Sequence, residues 1–154
     1  MDLQPGDKAP AFKLPTDGAG EISLAALRGT PFVLYFYPKD STSGCTREAI
    51  EFTKLHKKFS ELGVKLVGVS KDSVASHDKF KAHYRLSPIF ASDADTKVAQ
   101  AYGVWVEKSL YGRKYMGMER ATFLVDSKGK IRQIWRKVKV SGHAEVVLAA
   151  AKAL

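Results

Sequence analysis

Apolar positions along the chain fall into two periods. A continuous run, Phe32-Val-Leu-Tyr-Phe-Tyr37, does not alternate, so it predicts a strand buried on both faces and ended by Pro38. Val64-Lys-Leu-Val-Gly-Val69 predicts a second buried strand and Pro88-Ile-Phe90 a short third. Between the first two, Phe52, Leu55, Phe59 and Leu62 recur at helical spacing, with Cys45 at the edge of the same side and Gly63 as terminator. A capped helix is expected from Ser73 to Leu86, with His77, Phe80 and Tyr84 at helical spacing. A shorter helix is expected over residues 96–102, closed by Gly103, and an alanine-rich one over residues 144–153.

Two hairpins frame these elements. Phe12-Lys-Leu14 and Glu21-Ile-Ser-Leu24 flank Pro15-Thr-Asp-Gly-Ala-Gly20, and a single helical turn is expected over residues 24–28, closed by Gly29. Ala121-Thr-Phe-Leu-Val125 and Ile131-Arg-Gln-Ile-Trp135 flank Asp126-Ser-Lys-Gly-Lys130. Residues 104–119 show no clear period and are expected as loop or irregular strand. Strands alternating with helices, then a hairpin and a last helix, describe an α/β sheet covered on both faces. No repeat or linker interrupts it, and 154 residues with 45% hydrophobic content suit one domain over residues 1–154.

Charge and cysteine content narrow the picture. The net charge of +9 is spread along the chain, with clusters at Arg113-Lys114 and around Arg136, and no nucleic-acid motif accompanies it. A solvated basic surface that steers acidic partners is the reading. No apolar run approaches the roughly 20 residues that span a bilayer, and the N-terminus lacks a signal pattern. One cysteine allows no internal disulfide, which fits a reducing, cytoplasmic setting.

That cysteine, Cys45, falls where the first buried strand hands over to a helix. Unpaired N–H groups and the positive end of the helix dipole favour an anion there, which raises the thiolate fraction. Ile50 falls on roughly the opposite face of the helix, an exposed apolar residue beside the site. His56, His77, His83 and His143 are expected at the surface or on helix faces, and no metal-ligand spacing links them. Trp105, Tyr111 and Trp135 are expected in the core or at its rim.

Reading back from Cys45 gives Pro38-x-x-x-Thr42-x-x-Cys45. This resembles the peroxiredoxin active-site motif, and Phe36-Tyr-Pro-Lys-Asp-Ser-Thr-Ser-Gly-Cys-Thr-x-Glu48 is similar to the bacterioferritin-comigratory-protein, or PrxQ, subfamily. Further blocks agree: Gly6-Asp-Lys-Ala-Pro-Ala-Phe12, Ser73-Val-x-Ser-His-x-Lys-Phe80 and Glu119-Arg-Ala-Thr-Phe-Leu-Val-Asp126. The resemblance implies a thioredoxin-like fold with a central mixed sheet, an N-terminal β-hairpin, and reduction of hydrogen peroxide or organic hydroperoxides at Cys45 through a sulfenic acid. No metal, haem or other cofactor is implied. Thr42 would offer a hydroxyl to sulfur or peroxide, and the Gly44 and Cys45 backbone N–H groups would be further donors. Arg120 would supply the active-site guanidinium, Pro38 would shield the sulfur, and Glu48 would orient Arg120.

The chain departs from that pattern where relatives carry a resolving cysteine. Ile50 stands five residues after Cys45, residues 80–83 read Phe80-Lys-Ala-His83, and Ser43 replaces a usual proline. A one-cysteine peroxidase is therefore expected, a monomer or weak homodimer, recycled by an outside thiol such as thioredoxin, glutaredoxin or a small thiol. Ile50 is a candidate docking residue for that donor. A peroxide-responsive sensor or binding module is the alternative reading. The absence of Cys-x-x-Cys argues against a dithiol oxidoreductase.

Overall fold

The computed structural model describes residues 2–154. Strands β1 (Lys13–Thr16) and β2 (Gly20–Ser23) form the N-terminal hairpin around a 3-10 turn at Asp17–Ala19. Then follow β3 (Phe32–Phe36), α1 (Ser43–Lys54), α2 (His56–Glu61), β4 (Lys65–Ser70), α3 (Val74–Tyr84), β5 (Ile89–Ser92) and α4 (Lys97–Ala101). The chain closes with β6 (Trp105–Leu110), β7 (Arg113–Met118), β8 (Ala121–Val125), β9 (Ile131–Trp135) and α5 (His143–Lys152). Seven strands form one mixed sheet in the order β2-β1-β5-β4-β3-β8-β9, parallel from β3 through β4 to β5 and antiparallel elsewhere. This is the thioredoxin-like arrangement expected from the sequence.

β3 lies inside the sheet, and every residue from Phe32 to Tyr37 is buried. Phe32, Leu34 and Phe36 enter one core with Val67, Val69, Tyr102 and Phe123, under α4 and the N-terminal segment. Val33, Tyr35 and Tyr37 enter the other with Phe52, Phe59, Phe80, Val147 and Cys45, under α1, α2, α3 and α5. A strand filling two cores has no polar face to alternate with, which is why its pattern is continuous. Tyr35 lies flat across its β4 neighbour because that neighbour is Gly68; a Cβ there would meet the Tyr35 ring and hydroxyl at 2.8 Å.

Four expectations need correction. The helix after Cys45 is two helices broken at Leu55, whose φ and ψ are −98° and 5°. Thr53 turns its hydroxyl back onto the Ala49 carbonyl at 2.7 Å, a bond that bends helices, and Leu55 N closes a tight turn on Phe52 O. Leu62 consequently leaves the stripe and is exposed, while Phe59 stays buried. Residues 24–28 form turns and no helical element. Residues 104–119 are neither loop nor irregular: β6 and β7 pair residue for residue as an antiparallel ribbon outside the main sheet. Both faces of that ribbon mix charge with apolar residues, which hid the period. Its two-residue turn, Tyr111-Gly112, has positive φ at both positions, yet it lacks the Asn or Asp that signals such a turn. Tyr111 at the tip is 97% exposed and belongs to no core. Among the described residues no helix is long and apolar enough to cross a membrane.

Candidate active site

The site forms where β3 ends. β8 runs antiparallel to β3 with Ala121 opposite Phe36, so the residue before Ala121, Arg120, arrives beside the end of β3 just as the chain turns towards Cys45. Arg120 sits in the two-residue connector between ribbon and sheet. Glu119 anchors that connector: its N–H donates to Val104 O at 2.7 Å, and its carboxylate accepts two bonds from Arg136, at 2.5 and 2.9 Å. Arg136, read from sequence as part of a solvated basic cluster, is thus the partner that fixes the neighbour of Arg120.

Helix α1 begins with Thr42 in extended conformation at its N-cap, and its first ladder bond runs from Thr46 N to Thr42 O at 2.9 Å. Ser43, Gly44 and Cys45 precede that ladder, so their N–H groups point out of the helix start beside the sulfur. Cys45 is 2% exposed and faces the core on the α1 side of the sheet, as its position on the stripe predicts. Arg120 Nη2 donates to the Cys45 sulfur at 3.3 Å, and Arg120 Nη1 donates to Glu48 Oε1 at 2.7 Å. Gly44 keeps that approach open, since a Cβ there would come within 3.1 Å of Arg120 Nη2.

Glu48 is 1% exposed. Burial pushes its carboxyl up to about 7, against the pull of the Arg120 guanidinium. Its second oxygen has no hydrogen-bond partner. Lys108 on β6 brings another cation to this side, its ammonium bound to Met118 O. Burial and Arg120 push its pKa down, while Cys45 and Glu119 push it up.

The remaining residues singled out in the sequence are placed as follows. Pro38 is half-buried, one residue past the buried run. The Thr42 hydroxyl does not cap the helix; it donates to Lys39 O at 2.8 Å, so its proton is engaged backwards and its lone pairs remain as acceptors. Ile50 is half-buried and packs against the core on the α1 side, where the sequence predicts an exposed residue. It lines a groove of about 820 Å³ with Arg47, Leu55 and Tyr84, on a flank of α1 that includes neither Cys45 nor Arg120.

Two of the four histidines, expected at the surface or on helix faces, lie on helix faces that are buried. His143 bonds to the Thr122 hydroxyl at 2.8 Å, and His77 is fully enclosed beside Asp40. Asp40 escaped the sequence reading altogether. The signal available was His77 itself, polar yet in helical register with Phe80 on the face that α3 buries.

A thioredoxin-like sheet whose inner strand β3 leads into a helix carrying a lone cysteine, with a guanidinium on the sulfur, has the arrangement of a thiol-based peroxidase. The chain belongs to the AhpC/TSA family, whose sequence model matches residues 5–134. It is 50% identical over 148 residues to the putative peroxiredoxin bcp of Coxiella burnetii, covering 96% of this chain and 98% of that one. Peroxiredoxin Bcp of Bacillus subtilis is 43% identical over 148 residues, covering 96% and 94%. Among solved structures, PrxQ of Xylella fastidiosa superposes with a TM-score of 0.93 at 38% identity, covering 99% of this chain and 98% of that one. The Xanthomonas campestris bacterioferritin comigratory protein, studied for its alkyl peroxide reduction activity, superposes with a TM-score of 0.88 at 46% identity, covering 92% and 90%.

Proposed function

We propose that Cys45 is the peroxidatic residue of this peroxiredoxin, acting on hydrogen peroxide and organic hydroperoxides. The sulfur lone pair attacks one peroxide oxygen; an S–O bond forms as the O–O bond breaks. Sulfur is oxidised to sulfenic acid, and the departing oxygen takes a proton to leave as water or an alcohol. The observation that carries this reading is Arg120 Nη2 at 3.3 Å from a sulfur at the start of α1. A permanent cation and the ladder-free N–H groups of Gly44 and Cys45 stabilise the negative charge that moves onto the departing oxygen.

The other roles follow from position. Glu48 holds one fork of Arg120 so that the other meets the sulfur. The Thr42 hydroxyl, its proton committed to Lys39 O, accepts the peroxide O–H. Pro38 closes the sulfur off from bulk water. Because Cys45 is the only sulfur donor the chain can use in a disulfide, an outside thiol condenses with the sulfenic acid, releasing water, and a second thiol releases Cys45. Thioredoxin, glutaredoxin or a small thiol can each supply these, and a cytoplasmic thiol pool fits the requirement.

Stopped-flow reaction with peroxide, followed by intact-mass measurement, tests the reading. Wild type gains one oxygen and returns to its starting mass with added reductant and continued peroxide consumption; Cys45→Ser does neither. No added oxygen under peroxide excess overturns the assignment. Fast oxidation without reductant-dependent cycling assigns a sensor instead.

A further inference from the structure

Between β3 and α1 the chain passes through Ser41 with φ of +64°, a left-handed conformation that costs a non-glycine residue free energy and persists only where its surroundings over-determine it. The over-determination comes from its neighbour Asp40, which is 6% exposed. Three donors converge on that carboxylate. Tyr37 Oη donates to Oδ1 at 2.5 Å, while His77 Nδ1 and Ser76 Oγ reach Oδ2 at 2.7 and 2.8 Å. The Asp40 N–H is held as well, by Asp72 Oδ2 at 2.9 Å. His77, in turn, has no freedom: it is fully buried, and its Nε2 meets the Ala91 carbonyl of β5 at 3.0 Å. The ring is thus held at both nitrogens, between Asp40 on one side and the Ala91 carbonyl on the other.

Resting on the reading of Cys45 as the reacting group, we propose that His77, through its bond to Asp40, is a positioning residue: it pins residues 38–42, and thereby the start of α1 and the direction the Cys45 sulfur faces. His77 and Ser76 belong to α3, and their bonds to Asp40, together with the 3.4 Å approach of His77 Nδ1 to Tyr37 Oη, tie that helix to the segment leading to the sulfur. A buried donor–acceptor pair of this kind is worth keeping for geometry more than for net stability, because desolvation offsets much of its attraction.

Two variants separate positioning from mere support. Asparagine places an amide near the position of Nδ1, so His77→Asn keeps the donor to Asp40; glutamine reaches the position of Nε2, so His77→Gln keeps the bond to Ala91 and loses Asp40. Ser73→Ala removes the cap of α3, whose side chain accepts from Ser76 N at 3.1 Å, and serves as a control that weakens the helix alone. Two quantities are measured in each: the second-order rate with hydrogen peroxide, and amide hydrogen exchange across residues 40–45, which reads the anchoring without reference to catalysis. His77→Gln is expected to exchange faster there and to react about 10-fold slower or more, in line with the cost of misplacing a reacting group. His77→Asn and Ser73→Ala are expected to stay within about 3-fold of wild type in both. If glutamine and asparagine act alike, or if neither changes exchange, the proposal is overturned even where wild type proves an efficient peroxidase. Should His77→Gln not fold, Ser76→Ala removes a different donor from Asp40 and carries the same test; unchanged exchange and rate then overturn it.

Discussion

Arg120 meets the Cys45 sulfur at 3.3 Å with one nitrogen while its other is tied at 2.7 Å to Glu48, a carboxylate from the same helix as the sulfur. A planar fork suits that double engagement and an ammonium does not. Arg120→Lys keeps the charge but satisfies only one partner, so the peroxide rate should fall about 10-fold; Arg120→Ala should cost on the order of 100-fold or more. Lysine performing as well as arginine would leave charge alone as the requirement.

Gly44 offers a case in which stability and activity part company. Alanine is the better helix former by up to about 1 kcal/mol, so Gly44→Ala should match or exceed wild type in its urea midpoint. Its added carbon meets Arg120 Nη2 at 3.1 Å, and the guanidinium must shift away from the sulfur. A several-fold loss of peroxide rate in a chain no less stable is the expected outcome. An unchanged rate would mean the guanidinium has room to spare.

Two buried titrating groups tilt stability in opposite directions with pH. The Glu48 carboxyl, pushed up to about 7 from an ordinary 4.5 mainly by burial, keeps a proton in the folded chain that the unfolded chain sheds. Its contribution is present below pH 4.5 and lost as pH rises through 7, by up to about 3 kcal/mol. The His143 ring, lowered by burial to about 4 from 6.5, refuses a proton that the unfolded chain accepts, so its contribution is present above 6.5 and lost as pH falls towards 4. Glu48→Gln should therefore make the urea midpoint rise with pH between 4.5 and 6.5, and His143→Gln should make it fall. Equal slopes in the two variants would refute the pair of assignments.

Gly68 tests the packing beneath the site. Alanine there meets the Tyr35 ring and hydroxyl at 2.8 Å and Phe90 at 3.1 Å, all fully buried. Tyr35 also stacks on Phe52 of α1 at 4.8 Å between ring centres, so it has no direction in which to yield. Gly68→Ala should lower stability by about 1–3 kcal/mol in urea unfolding. A loss under about 0.5 kcal/mol would indicate that the core relaxes more freely than its packing suggests.

Much of this architecture was legible in the residues. β3 declared itself by an unbroken apolar run, the terminal hairpin by Asp126 and Gly129, and the motif around Cys45 by its resemblance to the peroxiredoxin pattern, which also drew Arg120 and Glu48 to the sulfur. What stayed hidden depends on where side chains turn after the backbone is set. The Thr53 hydroxyl bends a helix that periodicity alone makes continuous; a Tyr-Gly turn builds a ribbon without the usual marker; Asp40 and His77, 37 residues apart, meet only because α3 packs beside the end of β3. Ile50 misled because its helix face was judged without α5, against which α1 packs.

At 2% exposure the Cys45 sulfur admits a molecule the size of a peroxide far more readily than a folded protein donor. Oxidation and regeneration thus make opposite demands on one helical turn, closure for the first and release for the second. On the proposed reading of Cys45, a peroxide-consumption rate that stops rising with donor concentration is the expected outcome.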